Sequence, residues 1–270
     1  MDHNSNNLTF WEHLDALRSV LIRILCVTAV AVVAAFLSKD MLFGVILAPK
    51  EPDFFIYRLF RTLGAQWHIP AMVPGDFHIR LVSTQLTSQF MAHMNMAVCA
   101  GILVAFPYIL YELYRFVSPA LYKNERRYTV LVVGASYFLF MTGVLVDYFL
   151  LFPLTLRFLA GYVVSPEVEP MITLDSYTGI LMTLSLAMGI VFEIPVLSWL
   201  LARFGILKSP MLARNRRYAV VITLVAAAVI TPTSDIFTLL MVSVPIYILY
   251  EISILVVKRT EKKAENNIKP

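Results

Sequence analysis

The chain has 270 residues, 59% of them apolar, and its mean hydropathy is +0.74. Soluble domains sit at about 45–50% apolar, so this excess excludes an ordinary soluble fold and predicts an all-α, polytopic membrane protein. The net charge of +4 is modest and no nucleic-acid partner is expected; Cys26 and Cys99 lie in apolar runs, where buried small side chains are expected rather than a disulfide or a metal site.

The first element is LTFWEHLDALRSVL, residues 8–21. Phe10, Leu14, Leu17 and Leu21 are spaced for one helical face, and Thr9 with Glu12 fits a capping box. A helix is expected to start here and lie at the interface before the first span. That span, 19–38, is expected to be retained rather than cleaved as a signal peptide, because Asp2, Glu12 and Asp15 precede it. A long loop, 39–89, follows, then spans at 90–112 and 128–152. Between them lies RFVSPALYKNERR, residues 115–127, where Glu125 either pairs with Arg126 and Arg127 or accepts a cationic ligand at the membrane face. Three more spans are expected at 178–202, 217–232 and 236–257, before a charged tail at 259–270. Residues 1–258 read as one six-helix transmembrane domain.

Two spans look short. Residues 218–231 cover about 21 Å against about 30 Å of hydrocarbon, and the apolar part of the sixth, 236–250, is one residue longer. Such a pair must thin the bilayer or lean on partners. Pro107, Pro195 and Pro245 interrupt their spans and favour kinks that bow the helices around a cavity. Sixteen Lys and Arg fall on the side of the N-terminal segment, the 2–3 and 4–5 connections and the tail, against six on the other. The positive-inside rule therefore places both termini in the cytoplasm and makes 39–89 an extracytoplasmic cap.

Glu193 lies about 22 Å past the start of the fourth span, deep in the hydrocarbon zone, where an ionised acid costs about 2.5–3.5 kcal/mol unless it faces protein or water or takes a proton. Gly189, one turn earlier on the same face, leaves room for water or another helix. Glu193 is either a protonated acid bonded within the bundle or a carboxylate in a wet, concave cavity that meets a polar group of something bound.

The residues resemble the TatC family, the polytopic subunit of the twin-arginine protein translocase. HLDALR (13–18) is similar to the family's His-Leu-x-Glu-Leu-Arg, and APK (48–50) to the Ala-Pro after its first span. FVSPALYKNERR (116–127) is similar to its first cytoplasmic loop, FEIPV (192–196) to its Phe-Glu-x-Pro, and ITPTSDIFT (230–238) to its Thr-Pro-x-x-Asp turn. The resemblance implies six transmembrane helices in a curved, glove-like, concave arrangement in the cytoplasmic (inner) membrane. It implies binding of twin-arginine signal peptides of folded precursors, use of the proton-motive force, single-span TatA/TatB-type partners and further copies of the chain itself. On the matching positions Glu125 would accept a signal-peptide arginine, with Lys123, Phe116 and Pro119 in the same loop motif and Arg18 in the N-terminal one. Glu193 would line the concave face, while Pro49 and Asp235 would shape the far-side cap and the 5–6 turn. No enzyme activity and no cofactor are implied, in keeping with the lack of a phosphate-binding loop. One departure stands out: the family's N-terminal glutamate falls at Ala16, so Asp15 or Glu12 would have to assist Glu125.

Two other classes compete. A proton- or ion-coupled secondary transporter could use Glu193, but no internal repeat relates the two halves, and Glu193 reads as the single buried acid, Asp147 being the only other one near a span. An intramembrane enzyme would need a base beside a serine such as Ser185, and spans three to six contain no histidine.

Overall fold

A computed structural model of the chain describes residues 10–67, 79–117, 129–162, 165, 167, 171–231 and 235–266. Its elements in chain order are α1 (Phe10–Leu37), α2 (Lys39–Leu47), a 3₁₀ turn (Ala48–Lys50), α3 (Phe55–Trp67), β1 (Leu81–Val82) and α4 (Ser88–Val117). Then come α5 (Thr129–Val146), a π-helical turn (Asp147–Leu151), α6 (Phe152–Gly161), β2 (Ile172–Thr173) and α7 (Leu174–Val191). The chain closes with α8 (Ile194–Arg203), α9 (Ser209–Arg214), α10 (Arg216–Ile230) and α11 (Ile236–Asn266). They form two compact units, one of Met1–Ser38 with Ala97–Tyr137, the other of Lys39–Met96 with Phe138–Pro270.

Among the described residues, five helical stretches are long and apolar enough to cross a membrane: Leu14–Leu37, Ser88–Phe116, Val132–Gly161, Leu174–Arg203 and Ile236–Lys262. They coincide with five of the six expected spans. The remaining one is α10, whose 15 residues reach about 22 Å, the short span the sequence predicts. The other expected short span is not short. Glu251 ended the apolar count there, but Arg216 Nη2 lies 2.8 Å from its Oε2 and the Tyr247 hydroxyl donates to Oε1 at 3.2 Å. With its charge paired, the helix runs on to Asn266. Its far end is tied down as well: the backbone N–H and the hydroxyl of Ser209 both donate to the Glu261 carboxylate, at 3.1 and 2.6 Å.

In the first unit α1 is unbroken, so the expected interfacial helix and the first span are one element. Most of its apolar side chains face outward, Leu25 and Val30 being 70% and 72% exposed, and Cys26 is exposed rather than buried. A membrane span has no need to hide such groups, since lipid is as apolar as they are. Where α1 meets α4, a Cβ on Gly101 would lie 2.7 Å from the Val32 Cα and N, so only glycine lets these backbones approach.

In the second unit Leu151, Leu184, Met188, Phe192, Val242 and Ile246 form part of one core. Pro107 and Pro245 sit inside continuous helices, whereas the fourth span breaks after Val191, just before Pro195. Proline has no N–H to offer the preceding turn, and the Glu193 N–H tightens to bond Ile190 O at 3.0 Å before α8 resumes. The described residues of the 39–89 segment are largely helical rather than a plain loop, and β1 pairs in parallel with β2, Leu81 opposite Ile172 and Val82 opposite Thr173.

Tyrosines anchor this segment. The last carbonyls of a helix have no partner within it; here the Tyr148 hydroxyl donates to Val45 O at 2.7 Å and that of Tyr177 to Ile46 O at 2.8 Å. Fully buried Tyr57 reaches Pro49 O at 3.3 Å and Pro153 O at 2.9 Å. Burial pushes its phenol well above the usual range, with Arg157 pulling weakly the other way, so it remains a donor. Tyr57→Phe is expected to cost about 1–3 kcal/mol, because it strands buried carbonyls; a lowered thermal midpoint in detergent would register it.

Candidate functional site

The candidate residues divide between the two units. In the first, Glu12 belongs to α1 but its side chain lies outside the described residues, as do Pro119, Lys123 and Glu125 altogether. Asp15 and Arg18 are exposed on α1, with no hydrogen bond or ion pair between them and other described residues. Phe116 is half-buried near the end of α4. The structure thus leaves Asp15 and Arg18, of the expected recognition set on α1, exposed.

It also contains a charged cluster that the sequence reading missed. Glu112 on α4 is 2% exposed, Arg23 Nη2 stands 3.2 Å from its Oε2, and the Tyr108 hydroxyl donates to Oε1 at 3.0 Å. Ala16, buried Val20 and Arg23 fall on one stripe of α1, at i, i+4 and i+7. The cluster therefore lies about two turns along the stripe that starts at Ala16. A signal was available: Arg23 is a cation inside the span expected at 19–38, and Glu112 closes the span expected at 90–112. Opposite charges in successive spans are a pairing hypothesis by default.

In the second unit, Glu193 is 8% exposed and stands at the break between α7 and α8. The room left by Gly189 is taken by another helix: a Cβ there would come within 2.5 Å of the Phe140 ring of α5. Asp147 is fully buried in the π-helical turn, accepts a hydrogen bond from the Ser185 hydroxyl at 2.6 Å, and its Oδ1 has no hydrogen-bond partner among the described residues. Glu193 is thus not the single buried acid; Glu112 and Asp147 are more deeply buried. Glu112 stands at the end of an apolar run and Asp147 near a span end, so neither looks buried in the sequence. The number of buried acids therefore does not weigh against a transporter, whereas the absent repeat does. Pro49 is buried in the 3₁₀ turn that Tyr57 holds, and the Asp235 carboxylate caps α11 by accepting from the Thr238 N–H at 2.6 Å.

Five apolar helices of spanning length, a short sixth and carboxylates held inside them define a multi-pass membrane protein. The family model for Sec-independent protein translocase protein (TatC) matches residues 12–245. The TatC protein of Blattabacterium sp. subsp. Periplaneta americana is 33% identical over 266 residues, covering 97% of this chain and 100% of that one. TatCy of Bacillus subtilis is 37% identical over 189 residues, covering 70% and 74%. A crystal structure of the twin-arginine translocase receptor TatC is similar with a TM-score of 0.73 and 30% identity, over 93% of this chain and 100% of that one. The chain belongs to the TatC family. It is a component of the Sec-independent, twin-arginine translocase, a transport protein and not an enzyme, which works in a membrane with other Tat subunits.

Proposed function

We propose that this chain is the subunit that receives folded precursors by binding their twin-arginine signal peptides at the cytoplasmic face of the inner membrane. In this reading both termini are cytoplasmic and residues 1–258 act as one transmembrane domain with a short tail. Glu125 accepts a signal-peptide guanidinium, flanked by Lys123 and Phe116 on the loop that Pro119 shapes. Arg18 and Asp15, with Glu12, present the neighbouring edge of α1. Carboxylate and guanidinium form two parallel charge-assisted bonds, a geometry lysine cannot reproduce. Glu193 meets the signal-peptide helix or a single-span TatA/TatB-type partner, while Pro49 and Asp235 hold the far-side segment and the 5–6 turn. Copies of the chain assemble with these partners and the proton-motive force drives transport.

The observation that carries this reading is the similarity, nearly end to end, to a structure described as a twin-arginine translocase receptor. Exposure of Asp15 and Arg18 on α1 supports it, because a docking edge must be reachable. The test is export of a twin-arginine reporter in cells lacking their own TatC, beside a twin-lysine control. Glu125→Ala is expected to cut precursor binding about tenfold or more, the worth of a charge-assisted pair, with smaller losses for Asp15→Ala and Glu12→Ala. Equal and negligible losses across all three would remove the assigned roles.

A further inference from the structure

Within the second unit, α2, the 3₁₀ turn after it, the residues around β1 and the start of α4 line a groove of about 890 Å³. Its lining includes the cations Lys39, Lys50 and Arg80 and the apolar side chains Phe43, Leu47 and Phe90. Lys50 shares its charge with Glu51 at 3.5 Å. Lys39 and Arg80 are exposed and have no ion-pair partner among the described residues. Asp175, the acid next in sequence to the groove residue Leu174, is engaged by the Ser88 hydroxyl. The groove therefore combines a surplus of positive charge with apolar lining.

Its level relative to the bilayer follows from the chain. Lys39 comes two residues after the span Leu14–Leu37 ends, Phe90 lies in the first turn of the span that begins at Ser88, and Leu174 opens the span Leu174–Arg203. Three span ends at the groove put it where head groups meet acyl chains. Cations at this depth attract anionic lipid, and long basic side chains reach for the head-group layer. A free phosphate would satisfy the cations but gain nothing from Phe43, Leu47 and Phe90. A zwitterionic lipid would bring its own cation to an already positive groove.

We propose that this groove binds an anionic phospholipid, with the phosphodiester between Lys39, Lys50 and Arg80 and an acyl chain along Phe43, Leu47 and Phe90. The site is separate from the residues assigned to precursor recognition and does not depend on that assignment.

The test is native mass spectrometry of the delipidated full chain, titrated with dioleoylphosphatidylglycerol, with dioleoylphosphatidylcholine, and with phosphatidylglycerol in the presence of millimolar-range inorganic phosphate. The unmodified chain is expected to retain phosphatidylglycerol in preference to phosphatidylcholine, and phosphate is expected not to displace it. Each Lys or Arg near an anionic lipid is worth about fivefold in affinity, so Lys39→Gln/Arg80→Gln is expected to weaken retention about 25-fold while the lipid-free melting temperature stays put. Lys258→Gln/Arg259→Gln, outside the groove, is expected to change nothing. Equal retention of both lipids by the unmodified chain overturns the proposal without needing any variant. Equal retention of phosphatidylglycerol by the groove variant, an equal loss in the control variant, or displacement by inorganic phosphate overturns it too.

Discussion

Gly143→Ala is expected to destabilise the second unit by about 3 kcal/mol, the upper end for overpacking a filled interior. A Cβ at this position would lie 2.5 Å from Met188 O, 2.8 Å from Phe192 Cγ and 2.9 Å from Met188 C. Two of those atoms are backbone, so no rotamer change relieves the contact; α5 and α7 have to separate. Helix pairs in membranes depend on such close approaches, because lipid offers no hydrophobic drive to push them together. Phe192 adjoins Glu193, so the same movement disturbs the intramembrane acid. Gly134→Ala is the matched control: a Cβ there meets nothing within 4 Å, and alanine is the better helix former by about 1 kcal/mol. Melting curves of the two purified variants in detergent should move in opposite directions. Coincident curves would mean that the helix contact is looser than described.

Arg23→Leu is expected to be nearly as damaging, and Glu112→Gln is expected to rescue it. Glu112 is 2% exposed, while Arg23 is 43% exposed, so the two halves of the pair are not equivalent. Removing the cation leaves a carboxylate inside the helix pair with only Tyr108 to bond it, and breaking a buried pair from one side costs about 3–5 kcal/mol. The half-exposed arginine softens that toward about 2–3 kcal/mol. Removing the acid instead leaves an arginine that can swing toward water, and the glutamine can still accept from Tyr108. The double variant Arg23→Leu/Glu112→Gln buries no formal charge at this position and should recover most of the loss. A double-mutant cycle on thermal stability measures the coupling; additive losses would show that the two charges do not interact.

These two contacts show where reading the chain works and where it stops. Apolar run length locates five spans and the short α10, because the bilayer imposes a length that composition alone reveals. It also places the last span, 236–257, within the stretch Ile236–Lys262, although the purely apolar run stops at Glu251, whose charge is paired with Arg216. The burial of Glu112 and Asp147 is less legible, because their partners Arg23, Tyr108 and Ser185 are distant or unremarkable in the sequence. The tyrosine anchors are less legible still, since Tyr177 and Ile46 lie 131 residues apart. Pro195 was visible as a disturbance, but not that Pro107 and Pro245 would leave their helices continuous while Pro195 would break its own. At the candidate site, the ordered motifs pointed to the family over nearly the whole chain. Glu125 lies outside the described residues, and a connection between spans has no periodicity from which its side chain could be placed.

The hold that Ser209 keeps on Glu261 bears on where the chain's useful length ends. Counting charges puts the boundary after Lys258, as though everything beyond were a disposable appendage. Yet Glu261 supplies the acceptor that closes the opening turn of α9, so that appendage includes a fastener for a helix some fifty positions upstream. A shortened version trimmed at the charge boundary would leave that turn undone.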